Sequence, residues 1–263
     1  MNRGVITLTT DFGHTDPYVG IIKGVIFGIN PNATVIDLSH NVPPQDVFCA
    51  ALVLTSAVQY FPQGTIHVGV VDPGVGSKRR PLLIEAEGSF YIGPDNGLLS
   101  FAVKEKKITS IIELRNDAYF LKPTSATFHG RDIFAPVAAH LSLGIAAKAL
   151  GNPVDKFVTI DWPRLSERNG SLEGEIIYID RFGNLVTNIR AEDLQPFTAG
   201  GLTISVRGHK LYGLNSTYAS GAEKELSALI DSWGLMEIAQ FRGSAQAFSG
   251  AQRGDKIFVH HAG

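Results

Sequence analysis

The stretch Thr65–Arg80, TIHVGVVDPGVGSKRR, decides the architecture. Ile66, Val68, Val70 and Val71 are β-branched and nearly uninterrupted, the pattern of a strand covered on both faces. The run breaks at Asp72-Pro73-Gly74, where proline removes a backbone donor and glycine frees the chain to turn. Polar side chains then crowd into Ser77-Lys78-Arg79-Arg80. A buried strand that ends in a polar, glycine-bearing loop is the unit from which open α/β sheets build ligand sites. Working outward, VITLTT (Val5–Thr10) precedes a helix-like stretch over Tyr18 to Asn30, and TVIDLS (Thr34–Ser39) precedes another over Val47 to Tyr60. This alternation predicts an N-terminal α/β domain over residues 1–152 with a largely parallel central sheet. TTDFGHTD (Thr9–Asp16) and IGPDNG (Ile92–Gly97) repeat the strand-to-loop pattern, so the site is expected on that edge.

The last helix of this domain is expected over Ile133 to Leu150, and residues 153–170, with Trp162-Pro163, read as a linker. Over residues 171–263 the pattern changes to closely spaced strands: EGEIIYI, LVTNI, LTISV, HKLYGL and KIFVH. Turn formers such as DRFGN (Asp180–Asn184) and QRGD separate them. A smaller C-terminal, mainly antiparallel β domain follows.

Composition removes several classes of function. The 263 residues carry 23 Lys and Arg against 25 Asp and Glu, a net charge of −2, so the basic surface that nucleic acid requires is missing. No apolar run approaches the ~18 residues that span a bilayer. Met1 to Gly4 lead straight into a strand-like segment, which leaves no room for a leader, and a cytoplasmic location is expected. The single cysteine, Cys49, lies in an apolar run and reads as a core residue.

Candidate chemistry concentrates in three loops: Asp11 to Asp16, Asp72 to Arg80, and His129 to Asp132. A turn can bring Asp72 and Arg79 together. Spacing alone leaves two readings of that pair, a structural staple and a functional site. Gly74 and Gly76 resemble a phosphate cradle, but the GK[ST] ending and GxGxxG are both absent. His129 precedes a glycine and a helix start, and is either a satisfied structural residue or an accessible imidazole. His14, His40 and His67 invite a metal reading beside Asp11, Asp16 and Asp72, yet no HxH, HxxxH or HExxH spacing supports one, and no metal is expected. In the second domain DRFGN reads as a hairpin turn. Ser232, Glu237 and Arg242 interrupt an apolar stretch as either an exposed edge or a ligand wall.

Seven motifs together resemble the S-adenosyl-L-methionine hydroxide adenosyltransferases: TTDFG (Thr9–Gly13), HNVPPQD (His40–Asp46), VVDPGVGSKR (Val70–Arg79), IGPDNG, FHGRDIFAP (Phe128–Pro136), DRFGN and SWGLMEIA (Ser232–Ala239). They keep their order across both domains. The resemblance implies an enzyme that hydrolyses S-adenosyl-L-methionine to adenosine and L-methionine, by attack of activated water on the ribose C5′, with no cofactor or metal. It places Asp72, Arg79 and His129 in a water-activating triad and Asp11 on the ribose diol. Asn184, Ser232 and Glu237 fall at the methionine end, and Phe182 and Tyr218 flank the adenine. It further implies a homotrimer with sites at subunit interfaces.

The wider family includes fluorinating and chlorinating enzymes. Those have Tyr, Thr and a halide-binding Ser where this chain has Asp72, Val75 and Gly130, so the resemblance favours water over halide. A carboxylate at position 72 also repels halide while it can orient an imidazole or accept a proton. Two alternatives stand beside hydrolysis: a SAM-dependent halogenase that forms 5′-halo-5′-deoxyadenosine, and a non-catalytic SAM- or adenosine-binding protein.

Overall fold

The structure, a computed structural model, describes residues 4–168, 170–198 and 201–261; Met1–Arg3, where the reading of a missing leader begins, lie outside the described residues. The chain divides into two compact units, Met1–Ile160 and Asp161–Gly263.

In the first unit β1 (Val5–Thr10), β2 (Thr34–Ser39), β3 (Ile66–Val70), β4 (Pro81–Ala86), β5 (Ser89–Pro94), β6 (Ile108–Leu114) and β7 (Gly151–Pro153) form a sheet in the order β2-β1-β3-β5-β4-β6-β7. β2, β1, β3 and β5 run parallel, while β4 pairs antiparallel with β5 and β6, and β6 with β7. β3 is buried along its whole length, as its β-branched run predicts.

Chain direction around β1 creates the working edge. From β1 the chain crosses through α1 (Tyr18–Ile29) to β2 on one side, then through α2 (Val47–Val58) to β3 on the other. Right-handed crossovers in opposite directions put these helices on opposite faces. Thr10 and Val70 are in register at the ends of β1 and β3, so the loops carrying Asp11 and Asp72 leave neighbouring strand ends. That is the switch point at which open α/β sheets bind ligands.

On one face Ile6 and Leu8 pack with Ile22 and Ile26 of α1 and with Val137, Ala138 and Leu141. The other face holds a buried polar layer. Thr7 Oγ1 lies 2.9 Å from His67 Nδ1, and His67 stacks on Tyr91 at 5.2 Å. Burial pushes the His67 imidazole down to about 4, so it is neutral in the fold.

α3 (Ser100–Val103) is a single short turn, and α4 (Ala135–Ser142) differs from the helix expected over Ile133 to Leu150. A π-helical turn, Gly130–Phe134, leads into α4, with Ala135 N–H bonding back to Gly130 O. Gly144, at φ +95°, stops the helix early.

In the second unit β8 (Ser166–Arg168), β9 (Ser171–Ile179), β10 (Leu185–Arg190), β11 (Leu202–Val206), β12 (His209–Tyr212), β13 (Leu226–Ile230), β14 (Leu235–Gln240) and β15 (Lys256–His261) accompany two short helices, α5 (Gln195–Thr198) and α6 (Ala245–Ser249). The strands follow the order β12-β11-β15-β9-β10-β14-β13, with β8 on β9. Every pairing among them is antiparallel. Asn215 N–H donates to Ala228 O at 2.7 Å, so the two ends of the sheet curl towards each other. Inside lie Ile176, Leu185, Ile189, Ile204, Met236, Ile238 and Ile257. The stretch containing Ser232 and Glu237 is a hairpin, β13 to β14. Within the segment read as a linker, Trp162 Nε1 donates to Asn188 O at 3.2 Å and β8 joins the sheet.

Candidate active site

The loop after β3 folds on itself. Val75 N–H donates to Asp72 O and Ser77 N–H to Gly74 O, both at 3.1 Å. Gly76 sits at φ +76°, and a β-carbon there would fall 2.4 Å from Ala126 O, so only glycine lets this loop lie against the 121–128 segment. Arg79 returns beneath Asp72. Its Nε donates to Asp72 Oδ1 at 2.9 Å and its Nη2 to Oδ2, a fork-on-fork pair. Nη2 also reaches His129 Nδ1 at 2.6 Å. The Arg79 guanidinium lies 5.5 Å from the Phe134 ring centroid. The side chains of Arg79 and Asp72 are only 9% and 6% exposed.

Two properties follow from this geometry. A guanidinium has donors only, so His129 Nδ1 must accept, and the imidazole is neutral with its proton on Nε2. Burial and the Arg79 charge both hold His129 below the ordinary histidine value, which agrees with that state. Second, Arg79 Nη1 is buried with no partner. Such an orphan donor costs roughly 1–3 kcal/mol, and it marks a place for an acceptor. Asp72, Arg79 and His129 are therefore in direct contact, and the cluster has a spare cationic donor.

Asp11 leaves the end of β1 and accepts from Gln45 N–H at 2.8 Å. His40 braces the same loop. Its Nδ1 meets Thr10 Oγ1 at 2.8 Å and its carbonyl accepts from Gly13 N–H at 2.7 Å. One oxygen of the Asp11 carboxylate is thus fixed by a backbone N–H.

The remaining candidates belong to the second unit. DRFGN is a turn knit by Asp180, whose Oδ1 accepts from Phe182 N–H at 2.9 Å and Asn184 N–H at 2.8 Å. Asn184 Nδ2 donates to Asp180 Oδ2 at 2.9 Å. Gly183 takes φ +83°, while Asn184 is not among the positive-φ residues. Phe182 is thrust outward, 76% exposed. Ser232 is exposed in the turn that Asp231 caps by accepting from Trp233 and Leu235 N–H.

Glu237 lies opposite Val186 and Leu229, between β10 and β13. It is buried, its Oε1 has no partner, and the Tyr218 hydroxyl hydrogen-bonds its carboxylate. Burial, with Asp180 and Asp231 adding repulsion, pushes Glu237 up to about 7, and burial together with the Glu237 bond raises the Tyr218 phenol. This cluster is short of positive charge and has a spare acceptor.

Sequence reasoning gave no individual role to Asp180, Asp231 and Gln45, and weighed His40 only as a metal ligand. The two aspartates had a readable signal, an Asp at the head of a tight turn that accepts N–H groups from residues just after it. Among the described residues no group of three His, Cys, Asp or Glu side chains is arranged to hold a metal. His40 and His67 instead bond Thr10 and Thr7.

The SAM hydroxide adenosyltransferase N-terminal domain matches residues 6–151, and the corresponding C-terminal domain matches residues 174–258. The chain belongs to the SAM hydroxide adenosyltransferase family. Within that family it is 35% identical to an (R)-S-adenosyl-L-methionine hydrolase of Methanocaldococcus jannaschii, over 97% of this chain and 95% of the relative. It is 37% identical to one of Thermus thermophilus, over 93% and 95%. A fluorinase of Actinoplanes is 30% identical over 73% of each chain, a shorter match. A conserved protein of unknown function from Thermotoga maritima has the same fold, with a TM-score of 0.90 and 33% identity over 98% of this chain and all of that one.

Proposed function

We propose that this protein hydrolyses S-adenosyl-L-methionine to adenosine and L-methionine, with the sulfonium of R configuration that the names of its relatives specify. The observation that carries the reading is the buried Arg79, paired with Asp72, bonded to a neutral His129, and left with a free Nη1. Arg79 Nη1 and His129 Nε2–H are the donors for the attacking oxygen. Asp72, the one acceptor of the three with lone pairs to spare, takes the proton. The new C5′–O bond forms as the C5′–S bond breaks, the bonding pair returns to sulfur, and methionine leaves as a neutral thioether. No acid is needed for departure. A buried cation beside a developing hydroxide is worth more than the same pair in water.

Asp11 holds the ribose diol, and Phe182 and Tyr218 the adenine. Asn184, Ser232 and Glu237 hold the methionine end, where the spare Glu237 acceptor suits an ammonium. No resident cofactor or metal enters the reaction. Each unit carries only part of this set, and the assembly we propose is the homotrimer with sites at subunit interfaces, in the cytoplasm. No helix of the described residues is long and apolar enough to cross a membrane.

The test is chromatography of the purified chain with each sulfonium epimer in ¹⁸O-water. Adenosine labelled at O5′ together with methionine is the expected result, faster for the R epimer. Tight binding without product, or 5′-halo-5′-deoxyadenosine as the main product when halide is added, overturns the reading. Light scattering checks the trimer.

A further inference from the structure

Three aromatic rings, Tyr18 and the sequence neighbours of Asp11 and His129, pack on one another. Phe12 and Tyr18 lie 5.7 Å apart between centroids, Phe12 and Phe128 also 5.7 Å, and Tyr18 and Phe128 5.3 Å. Two of these contacts are edge-on and the third is tilted. Such packing fixes the rings relative to one another. Phe12 follows Asp11, and Phe128 precedes His129, whose neighbour Gly130 would place a β-carbon 3.3 Å from the Phe128 ring. The Phe128 ring already has the Arg131 guanidinium 5.4 Å from its centroid. Tyr18, at the start of α1, is 44% exposed. It is an aromatic surface held in place on two sides and left uncovered at the ligand edge of the sheet.

We propose that Tyr18, braced by Phe12 and Phe128, is the aromatic face that recognises the sulfonium of the substrate and separates it from the neutral thioether. The proposal rests on the hydrolase reading. A sulfonium has fixed positive charge but no hydrogen to donate, so what favours it is an anion, a π face or the negative end of a dipole rather than a hydrogen-bond acceptor as such. The nearby carboxylates are engaged: Asp72 is neutralised by Arg79, Asp132 by Arg131, and Asp11 is committed to Gln45 and the diol. Asp16 is exposed, where solvent and salt weaken its field. In-line attack leaves the sulfur roughly 5 Å from the attacking oxygen. That oxygen is held beside His129, the residue next to Phe128.

The experiment measures calorimetric binding to the full-length protein of two probes that do not react. They are S-adenosyl-L-homocysteine, with neutral sulfur, and sinefungin, with a protonated amine at the sulfonium position. The wild type should prefer the cation. Tyr18→Leu should reduce that preference about fivefold, Tyr18→Phe should keep it, and Asp16→Asn should leave it unchanged. A wild type with no preference, a preference intact in Tyr18→Leu, one lost equally in Tyr18→Phe, or one abolished by Asp16→Asn overturns the inference. Turnover of S-adenosyl-L-methionine is scored separately. A protein that makes no adenosine but shows this pattern loses the hydrolase reading and keeps the cation face, and the converse result does the reverse.

Discussion

The two units carry polar clusters of opposite kind. In the first, a carboxylate, a guanidinium and an imidazole satisfy one another, and what remains is a buried donor, Arg79 Nη1. In the second, Glu237 is buried among Asp180, Asp231 and Tyr218 without a cation, and what remains is a buried acceptor, Glu237 Oε1. A spare donor suits an electron-rich oxygen, and a spare acceptor suits an ammonium, as the proposed reaction requires. The contrast teaches that burial can tune one site for reaction and another for grip, depending on which charge is left unanswered.

Substitutions can break this division of labour. Arg79→Ala removes the donor and strands Asp72, and should lower kcat about 10³-fold with far less change in binding, read from steady-state rates and calorimetry. Glu237→Gln keeps the shape and removes the charge. It should raise KM between about tenfold and a hundredfold while kcat holds, and an equal fall in kcat would erase the contrast.

pH sharpens it further. Glu237 titrates at about 7, so KM should improve as pH rises through that value and the ammonium meets a carboxylate. His129 is held below its ordinary value. Its protonated form cannot accept from Arg79, so kcat should stay flat on acidification past 6.5 and fall only at lower pH. The smallest effect is expected from Asp11→Asn, which keeps one acceptor oxygen and should weaken binding several-fold, measured with the non-reacting homocysteine analogue.

Much of the scaffold was legible because burial leaves a local imprint. The β-branched run of β3, the loops after β1 and β3, and the DRFGN turn could be read from a few adjacent residues. The antiparallel half of the first sheet was not, because PLLIEA and SFYIGP are apolar runs whose partner and direction depend on distant strands. The contact between Arg79 and His129 spans a separation of 50 residues, so spacing left the Asp72–Arg79 pair and His129 with two readings each. The protonation state of His129 is set by which atom Arg79 offers, and Glu237 is raised by burial between strands with carboxylates from two separate turns adding to it; neither is a property of a segment.

The π turn over Gly130–Phe134 has a consequence for how this chain can change length. Its bond from Ala135 N–H to Gly130 O encloses one more residue than an α turn would. Deleting one residue there would close it to an α turn with little change of phase, and would drop one side chain from the arc between His129 and Phe134, which lies near the Arg79 guanidinium. A one-residue change in this arc therefore edits the lining of the cluster without re-aiming the helix behind it.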